Sequence, residues 1–163
     1  MALLVSDANI FIDLEDGGLV EAIFRLPETV AVPDLLFEDE LRHQHAHLID
    51  HGLVLVELSS DSLARVVQLA GKYFRPSRLD LAALAAAEQQ KCPLLTGDRN
   101  LRSAALAEGV EVHGTLWLAD RFVSSGIVSL AQLREAYARM RVAGRRLPWA
   151  EVDEQLRRLS SSR

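Results

Sequence analysis

Short apolar runs alternate with longer segments of mixed polarity along most of the chain. Five runs have the length and continuous hydrophobicity of buried strands, at residues 2–6, 29–32, 53–58, 93–96 and 110–112. The segments between them show helical spacing of apolar positions, for example from Leu63 to Ala70. Strands that are apolar on both faces and alternate with helices predict a parallel sheet that is covered by helices on both sides.

After residue 112 the pattern becomes helical throughout. Apolar periodicity predicts helices at 115–123, 129–142 and 149–159, the last of them after Pro148 at a first-turn position. A chain of 163 residues is the size of one domain with a full core. The prediction is therefore a single three-layer α/β/α domain with a central, mainly parallel five-stranded sheet. Its core spans about 1–113 and a helical extension spans about 114–160.

Composition places the chain among globular proteins, with 49% apolar and 25% charged residues. The single cysteine, Cys92, has no internal disulfide partner, which favours a reducing compartment and a role for Cys92 as a small buried apolar residue. The first residues lack the basic flank and cleavage site of a signal peptide, and no apolar stretch approaches the ~20 residues of a membrane span. We expect a cytoplasmic protein that does not associate with a membrane.

The net charge of −5 is unevenly distributed. Residues 1–130 hold 10 Lys and Arg against 19 Asp and Glu, whereas residues 131–163 hold 8 Arg against 4 acids. Taken alone, this uneven charge is most simply explained by a solvated helical face. The same distribution suits an acidic site that binds cations, next to a basic segment that binds phosphates or an acidic partner. Seven of these eight arginines are the candidates for such contacts: Arg134, Arg139, Arg141, Arg145, Arg146, Arg157 and Arg158.

Acidic and amide side chains follow the ends of the predicted strands. Asp7 and Asn9 come after the first strand, the acidic run 38–40 follows the second, and Thr96, Asp98 and Asn100 lie at the end of the fourth. In addition, Asp80 lies at the start of the helix that leads to the fourth strand. Ligands of open parallel sheets gather at the carboxyl ends of the strands, so these side chains mark a candidate site.

Each acid also has a purely structural explanation. Asp7 and Asp98 lie where helix N-caps are expected, and Ser77 and Asp80 have capping-box spacing. The acids at 38–40 lie in the first turns of a predicted helix, where the helix dipole stabilises negative charge. Four carboxylates on one edge of a sheet, however, repel one another unless a cation neutralises them. Mg²⁺ or Mn²⁺ is the natural cation for oxygen ligands, and such an ion activates water against a phosphodiester. Asn9, Thr96 and Asn100 are candidates for orienting ligands or water.

The motifs VSDANIF at residues 5–11 and LLTGDRNL at 94–101 resemble those of the PIN domain, together with Pro33 before an acidic helix start and Asp80 opening an alanine-rich helix. The resemblance covers about residues 2–113 and is closest to small VapC-like toxins. It implies a Mg²⁺- or Mn²⁺-dependent ribonuclease with an RNA substrate. It also implies an antitoxin partner that covers the active site, and a homodimer.

Carried onto this sequence, the resemblance assigns Asp7, Glu40, Asp80 and Asp98 as catalytic metal ligands, with Glu38 as the alternative to Glu40. Counting from Pro33 would also fit Asp39. The helices beyond Trp117 are longer than the family core needs. A non-catalytic PIN-like RNA-binding or protein-interaction module is the alternative function. An aspartyl phosphatase that uses Asp7 is disfavoured, because such enzymes usually carry a second Asp where this chain has Asn9.

Histidines at 43, 47 and 51 have the i, i+4, i+8 spacing of one helical stripe, beside a further histidine, His45. Tetrahedral zinc sites usually need a ligand from another element, so we favour a solvent-facing helix over a zinc site. Trp117 and Trp149 are interpreted as packing onto the core rather than as contact anchors for a partner.

Overall fold

The computed structural model describes residues 2–161, and within that range a sheet of five parallel strands forms the centre of the fold. The strands are β1 (Leu3–Ser6), β2 (Thr29–Pro33), β3 (Val54–Val56), β4 (Leu94–Leu95) and β5 (Val112–His113). Their order is β3-β2-β1-β4-β5, and each neighbouring pair is parallel. The predicted sheet is confirmed. The third and fourth strands are shorter than their apolar runs, and the fifth begins two residues later than predicted.

The central strands are buried on both faces, which explains their continuous hydrophobicity. Val30, Ala31 and Val32 of β2 are all buried, although successive side chains point to opposite faces of the sheet. In the ladder Val30 lies opposite Leu4 of β1. Leu4 is buried as well, so both faces of the sheet contribute to one core.

The helices connect the strands and extend the chain beyond β5. They are α1 (Ala8–Asp16), α2 (Val20–Ile23), α3 (Asp34–Leu36), α4 (Arg42–His45), α5 (His47–His51), α6 (Ser60–Lys72), α7 (Arg78–Gln90), α8 (Arg99–Ala107), α9 (Thr115–Ser124), α10 (Leu130–Val142) and α11 (Trp149–Ser161). Between α3 and α4 the backbone forms a π-helical stretch, Phe37–Leu41.

Two helical layers sandwich the sheet. Helix α7 packs on β1, β2 and β4 and against α6 and α8, while α1 contacts α2, α9 and α10. Right-handed crossovers place α1 and α2 on the face opposite α6 to α8. Residues 81–87 of α7 are all buried, and their many alanines let the helix lie close to the strands. The predicted three-layer α/β/α architecture is confirmed.

The last three helices match the predicted segments and pack onto the core. Helix α10 approaches the end of α1 so closely that a Cβ at Gly17 would lie 2.5 Å from Met140 Cε. Trp117 and Trp149 are partly buried against the core, as expected, and the Arg141 guanidinium lies 4.5 Å from the centre of the Trp149 ring. Among residues 2–161, no helix is both long and apolar enough to cross a bilayer.

Candidate active site

The candidate site lies where the strand order reverses. From β1 the chain proceeds to β2 and β3 on one side, whereas β4 and β5 lie on the other side. The ends of β1 and β4 are neighbours, because Ser6 pairs with Leu95. Asp7 and Thr96 are the next residues in the chain, so both flank the topological switch point, where α/β proteins bind ligands.

Asp7 is a buried N-cap. Its side chain is 1% exposed, and its Oδ1 accepts a hydrogen bond from the Ile10 amide at 3.1 Å at the start of α1. Its Oδ2 accepts a hydrogen bond from the Thr96 hydroxyl at 2.5 Å. Burial raises the pKa of Asp7 to about 7, and the charges of Asp80 and Asp13 add to the rise, while the two hydrogen bonds oppose it. A cation beside Asp7 would favour its ionised form.

Thr96 joins Asp7 to the end of β4. Its hydroxyl donates to Asp7 and accepts a hydrogen bond from the Asp98 amide at 3.0 Å. Asp98 in turn caps α8, because its Oδ1 accepts from the Asn100 amide at 2.7 Å and the Leu101 amide at 3.0 Å. The predicted capping role of Asp98 is therefore confirmed, and one buried hydroxyl connects the two caps.

Asp80 lies at the start of α7 in a complete capping box. Its amide donates to Ser77 Oγ at 3.0 Å, and its Oδ2 accepts from the Ser77 amide at 3.0 Å. The predicted capping box is confirmed. Its charge also raises the pKa of two other carboxyls, Asp7 and Glu40, in both cases as an addition to the larger effect of burial. Three carboxylates from three different segments thus share one electrostatic environment.

The acidic run 38–40 lies in the π-helical stretch, whose ends, Phe37 and Leu41, are buried while the three acids face outward. Glu38 is exposed and forms an ion pair with Arg42 at 2.6 Å. Burial instead raises the pKa of Glu40, and the charges of Asp80 and Asp39 add to the rise. The structure therefore couples Glu40, rather than Glu38, to the other candidate acids.

The four acids do not form a closed cage. Within residues 2–161 their ligand oxygens form no group of three that all lie within 4.8 Å of one another. Repulsion between the negative charges keeps these carboxylate oxygens apart when no cation is bound. Asn9 and Asn100 are exposed on the first turns of α1 and α8. Carboxylate and hydroxyl oxygens are the donors that Mg²⁺ and Mn²⁺ prefer, so the residues present fit such an ion.

Asp13 is a charged neighbour of Asp7 that the sequence patterns did not indicate. It is 5% exposed in α1, and its Oδ1 accepts a hydrogen bond from Arg145 Nε at 2.5 Å. Its charge contributes to the raised pKa of Asp7. The sequence feature that could have indicated a buried Asp13 is its position between apolar residues of an amphipathic helix. The arginine that pairs with it is 132 residues away in sequence, which no local pattern indicates.

Several arginines of the basic segment have acidic partners within the fold. Arg139 pairs with Glu135 and Arg157 with Glu154 along their own helices, at 2.8 and 3.0 Å. Arg158 contacts Asp120 of α9 at 2.9 Å. These contacts favour the interpretation of the segment as a solvated, internally paired helical surface.

Comparison with known proteins agrees with this architecture. A model of the family DUF3368, described as a PIN domain, matches residues 3–161. The fold is similar to that in the crystal structure of PAE2754 from Pyrobaculum aerophilum, with a TM-score of 0.56 and 16% sequence identity over 76% of this chain and 96% of that one. At that identity the likeness concerns the fold alone. No curated protein sequence matches the chain.

Proposed function

The chain belongs to the PIN-domain family, whose members are in general nucleases, and we propose that it is a Mg²⁺- or Mn²⁺-dependent endoribonuclease. Asp7, Glu40, Asp80 and Asp98 would hold the metal. Once bound, such an ion would supply an activated water and stabilise charge on the leaving oxygen of the phosphodiester. The observation that carries the proposal is the buried Asp7 carboxyl at the switch point, with its pKa raised to about 7 beside Asp80.

The residues around Asp7 fix its position. Its two oxygens are oriented by different donors, the Ile10 amide and the Thr96 hydroxyl, so the carboxylate is pre-oriented before any ligand arrives. Burial removes competing water from the same carboxylate. Asn9 and Asn100 lie exposed on the adjacent first turns, where their amides are available to a phosphate or a water molecule.

Glu40 is the better candidate for the second acid. Its pKa responds to the charge of Asp80, whereas Glu38 is held by Arg42 on the exposed side of the helix. If Glu40 is the ligand, Glu40→Gln abolishes metal-dependent cleavage and Glu38→Gln leaves most of it. The reverse result would move the assignment to Glu38.

We further propose the role of toxin in a VapBC-type pair, with an antitoxin partner, a homodimeric state and a cytoplasmic site of action. The motif resemblance to VapC-like toxins supports this role. Expression of the wild-type chain should then arrest growth, and co-expression of the protein encoded by the adjacent reading frame should relieve the arrest. Size-exclusion chromatography with light scattering tests the dimer.

The competing function is a non-catalytic PIN-like module that binds RNA or a protein. One observation favours it: Asp7, Asp80 and Asp98 all cap helices, so each has a structural role without a metal. The two functions differ in their response to divalent ions, because carboxylates that only cap helices would not bind an ion.

The deciding experiment measures RNA cleavage by the purified full chain with Mg²⁺ or Mn²⁺, and Mn²⁺ binding by calorimetry. We expect Asp7→Asn to abolish cleavage and to weaken Mn²⁺ binding. Asp50→Asn is the matched control, because Asp50 lies in α5, which leads into the amino end of β3. Cleavage that is metal-independent, or unchanged in Asp7→Asn, would refute the nuclease proposal.

A further inference from the structure

A second group of potential metal ligands lies at the junction of α4 and α5. Helix α4 ends at His45 and α5 begins at His47, with Ala46 between them. The rings of His47 and His51 remain neighbours across one helical turn, 5.9 Å apart between centroids, as their spacing predicted. The two histidines that flank the α4–α5 break converge on Glu15 of α1.

Glu15 contacts both imidazoles. His45 Nδ1 lies against Glu15 Oε2, and His47 Nε2 is 3.1 Å from Glu15 Oε1. One ligand atom from each of the three residues lies within 4.8 Å of the other two, and no other group of three or more His, Cys, Asp or Glu in residues 2–161 meets that limit. The side chains of His45, Glu15 and His47 are 13%, 33% and 39% exposed, so the group is partly buried and open to solvent.

This group is separate from the candidate active site. Glu15 follows Asp7 by eight residues along α1, and the helical rise separates their backbones by about 12 Å. Its ligands also differ in chemistry, because imidazole nitrogens suit zinc-like transition metals, whereas Mg²⁺ takes oxygen ligands.

We propose that Glu15, His45 and His47 form a binding site for a transition metal of the Zn²⁺ class. Two imidazoles and one carboxylate are an established zinc ligand set, in which a fourth position remains for water. Zinc ligands at about 2.0–2.2 Å from the ion lie about 3.3–3.6 Å apart in a tetrahedron. The His47–Glu15 distance of 3.1 Å and the closer His45–Glu15 contact are both shorter than that separation, so the side chains would move slightly apart to admit an ion. Glu15 is the ligand from another element that such a site needs, and the spacing of the histidines alone could not identify it.

The bound metal would connect α1 to the α4–α5 break. Glu40 lies five residues before His45, with the end of the π-helical stretch between them. An ion that binds the folded chain alone stabilises it in proportion to ligand concentration, so the melting temperature should rise with added Zn²⁺. A simple hydrogen-bonded bridge, in which Glu15 accepts from two imidazole N–H groups, predicts no such dependence.

The test uses the full chain after treatment with a chelator, titrated with Zn²⁺ by calorimetry and with Co²⁺ by visible absorption. We expect one equivalent of Zn²⁺ and the d–d bands of four- or five-coordinate Co²⁺. Glu15→Gln, His45→Gln and His47→Gln should each weaken binding by about 100-fold or more, since even supporting groups of a metal site contribute about 10–100-fold. Circular dichroism verifies that each variant is folded.

His43→Gln is the matched control, because His43 lies in the same helix outside the group. His113→Gln removes a separate His–carboxylate pair, in which His113 Nε2 lies 2.6 Å from Glu111. Both variants should bind Zn²⁺ like the wild type. Asp7→Asn should also retain the site, so failure of the nuclease proposal and failure of this one are distinguishable. Wild-type Zn²⁺ affinity in His45→Gln and His47→Gln, or no binding by the wild-type chain, would overturn the proposal.

Discussion

The Thr96 hydroxyl links Asp7 to Asp98 across the boundary between β1 and β4. It donates to Asp7 Oδ2 at 2.5 Å and accepts from the Asp98 amide at 3.0 Å. The Thr96 amide is itself held in the sheet by the His113 carbonyl at 2.9 Å. A single buried side chain therefore sets the position of one candidate metal ligand and the backbone that precedes another.

Replacing Thr96 by valine tests this link. Valine keeps the shape of threonine but leaves Asp7 Oδ2 without its donor and the Asp98 amide without its acceptor. Unsatisfied buried groups cost about 1–3 kcal/mol of folding free energy, measured by urea denaturation. The pKa of Asp7 should rise further, because the Thr96 hydrogen bond lowers it. The pH dependence of RNA cleavage should accordingly move to higher pH.

Thr96→Ser is the control for that substitution. Serine retains the hydroxyl, so it should preserve the pH profile even if the lost methyl group lowers stability slightly. A profile that is identical in Thr96→Val and the wild type would show that the hydroxyl does not tune Asp7.

The stability of the metal-free protein should depend on the protonation of Asp7. The pKa of Asp7 is about 7 in the fold, against an ordinary value of 3.8. The native state therefore binds this proton more tightly than the unfolded state. The resulting stabilisation is fully present below pH 3.8 and is lost as the pH rises through 7.

Asp7→Asn removes this dependence, because its amide does not titrate. The unfolding free energy of Asp7→Asn minus that of the wild type should grow between pH 4 and pH 8, by about 4 kcal/mol at most. Urea denaturation in the presence of EDTA measures both. Added Mn²⁺ should reduce the difference by favouring the ionised carboxylate. Parallel stability curves for the two proteins would contradict the raised pKa.

Local sequence patterns predicted the sheet, its helical layers and the caps at Asp7, Asp80 and Asp98. These features depend on residues that are close in sequence, such as the apolar run before Asp7 and the three-residue spacing from Ser77 to Asp80. The Asp13–Arg145 and Glu15–His45 contacts depend on how distant helices pack, so no local pattern reveals them. The histidine spacing likewise predicted the neighbouring rings of His47 and His51, but it could not indicate that His45 and His47 meet Glu15 of a distant helix.

The ion pair between Asp13 and Arg145 should stabilise the attachment of the C-terminal helices. Arg145 lies between α10 and α11, and its Nε is 2.5 Å from Asp13 Oδ1. Arg145→Met would leave the buried Asp13 without its cation. Loss of one partner of a fully buried pair costs about 3–5 kcal/mol. Arg145 is 26% exposed, so we expect a smaller loss, about 2 kcal/mol in urea denaturation.

Arg146→Met provides the comparison for Arg145→Met. It removes the same charge one residue further along, on an exposed side chain. Its unfolding free energy should stay within about 0.5 kcal/mol of the wild-type value. The double variant Asp13→Asn with Arg145→Met should recover part of the stability lost in Arg145→Met. Equal losses in the two arginine variants would show that the ion pair contributes nothing specific.

Capping and metal binding at the start of α7 should be separable by mutation. Ser77→Ala removes the hydroxyl that accepts the Asp80 amide at 3.0 Å, and loss of such a cap costs about 0.5–2 kcal/mol. It leaves the Asp80 carboxylate in place, so Mn²⁺ affinity should change little.

Asp80→Asn should have the opposite effects. Its amide oxygen can still accept from the Ser77 amide, so stability should change little, and removal of the negative charge relieves repulsion with Asp7 and Glu40. Mn²⁺ binding measured by calorimetry should fall by at least about tenfold, as for the loss of a group that supports a metal site. If Asp80→Asn lowers only the melting temperature and leaves Mn²⁺ binding intact, Asp80 is a cap and not a ligand. Because Ser77→Ala and Asp80→Asn alter the same capping box, a shared defect in folding cannot produce opposite changes in the two measurements.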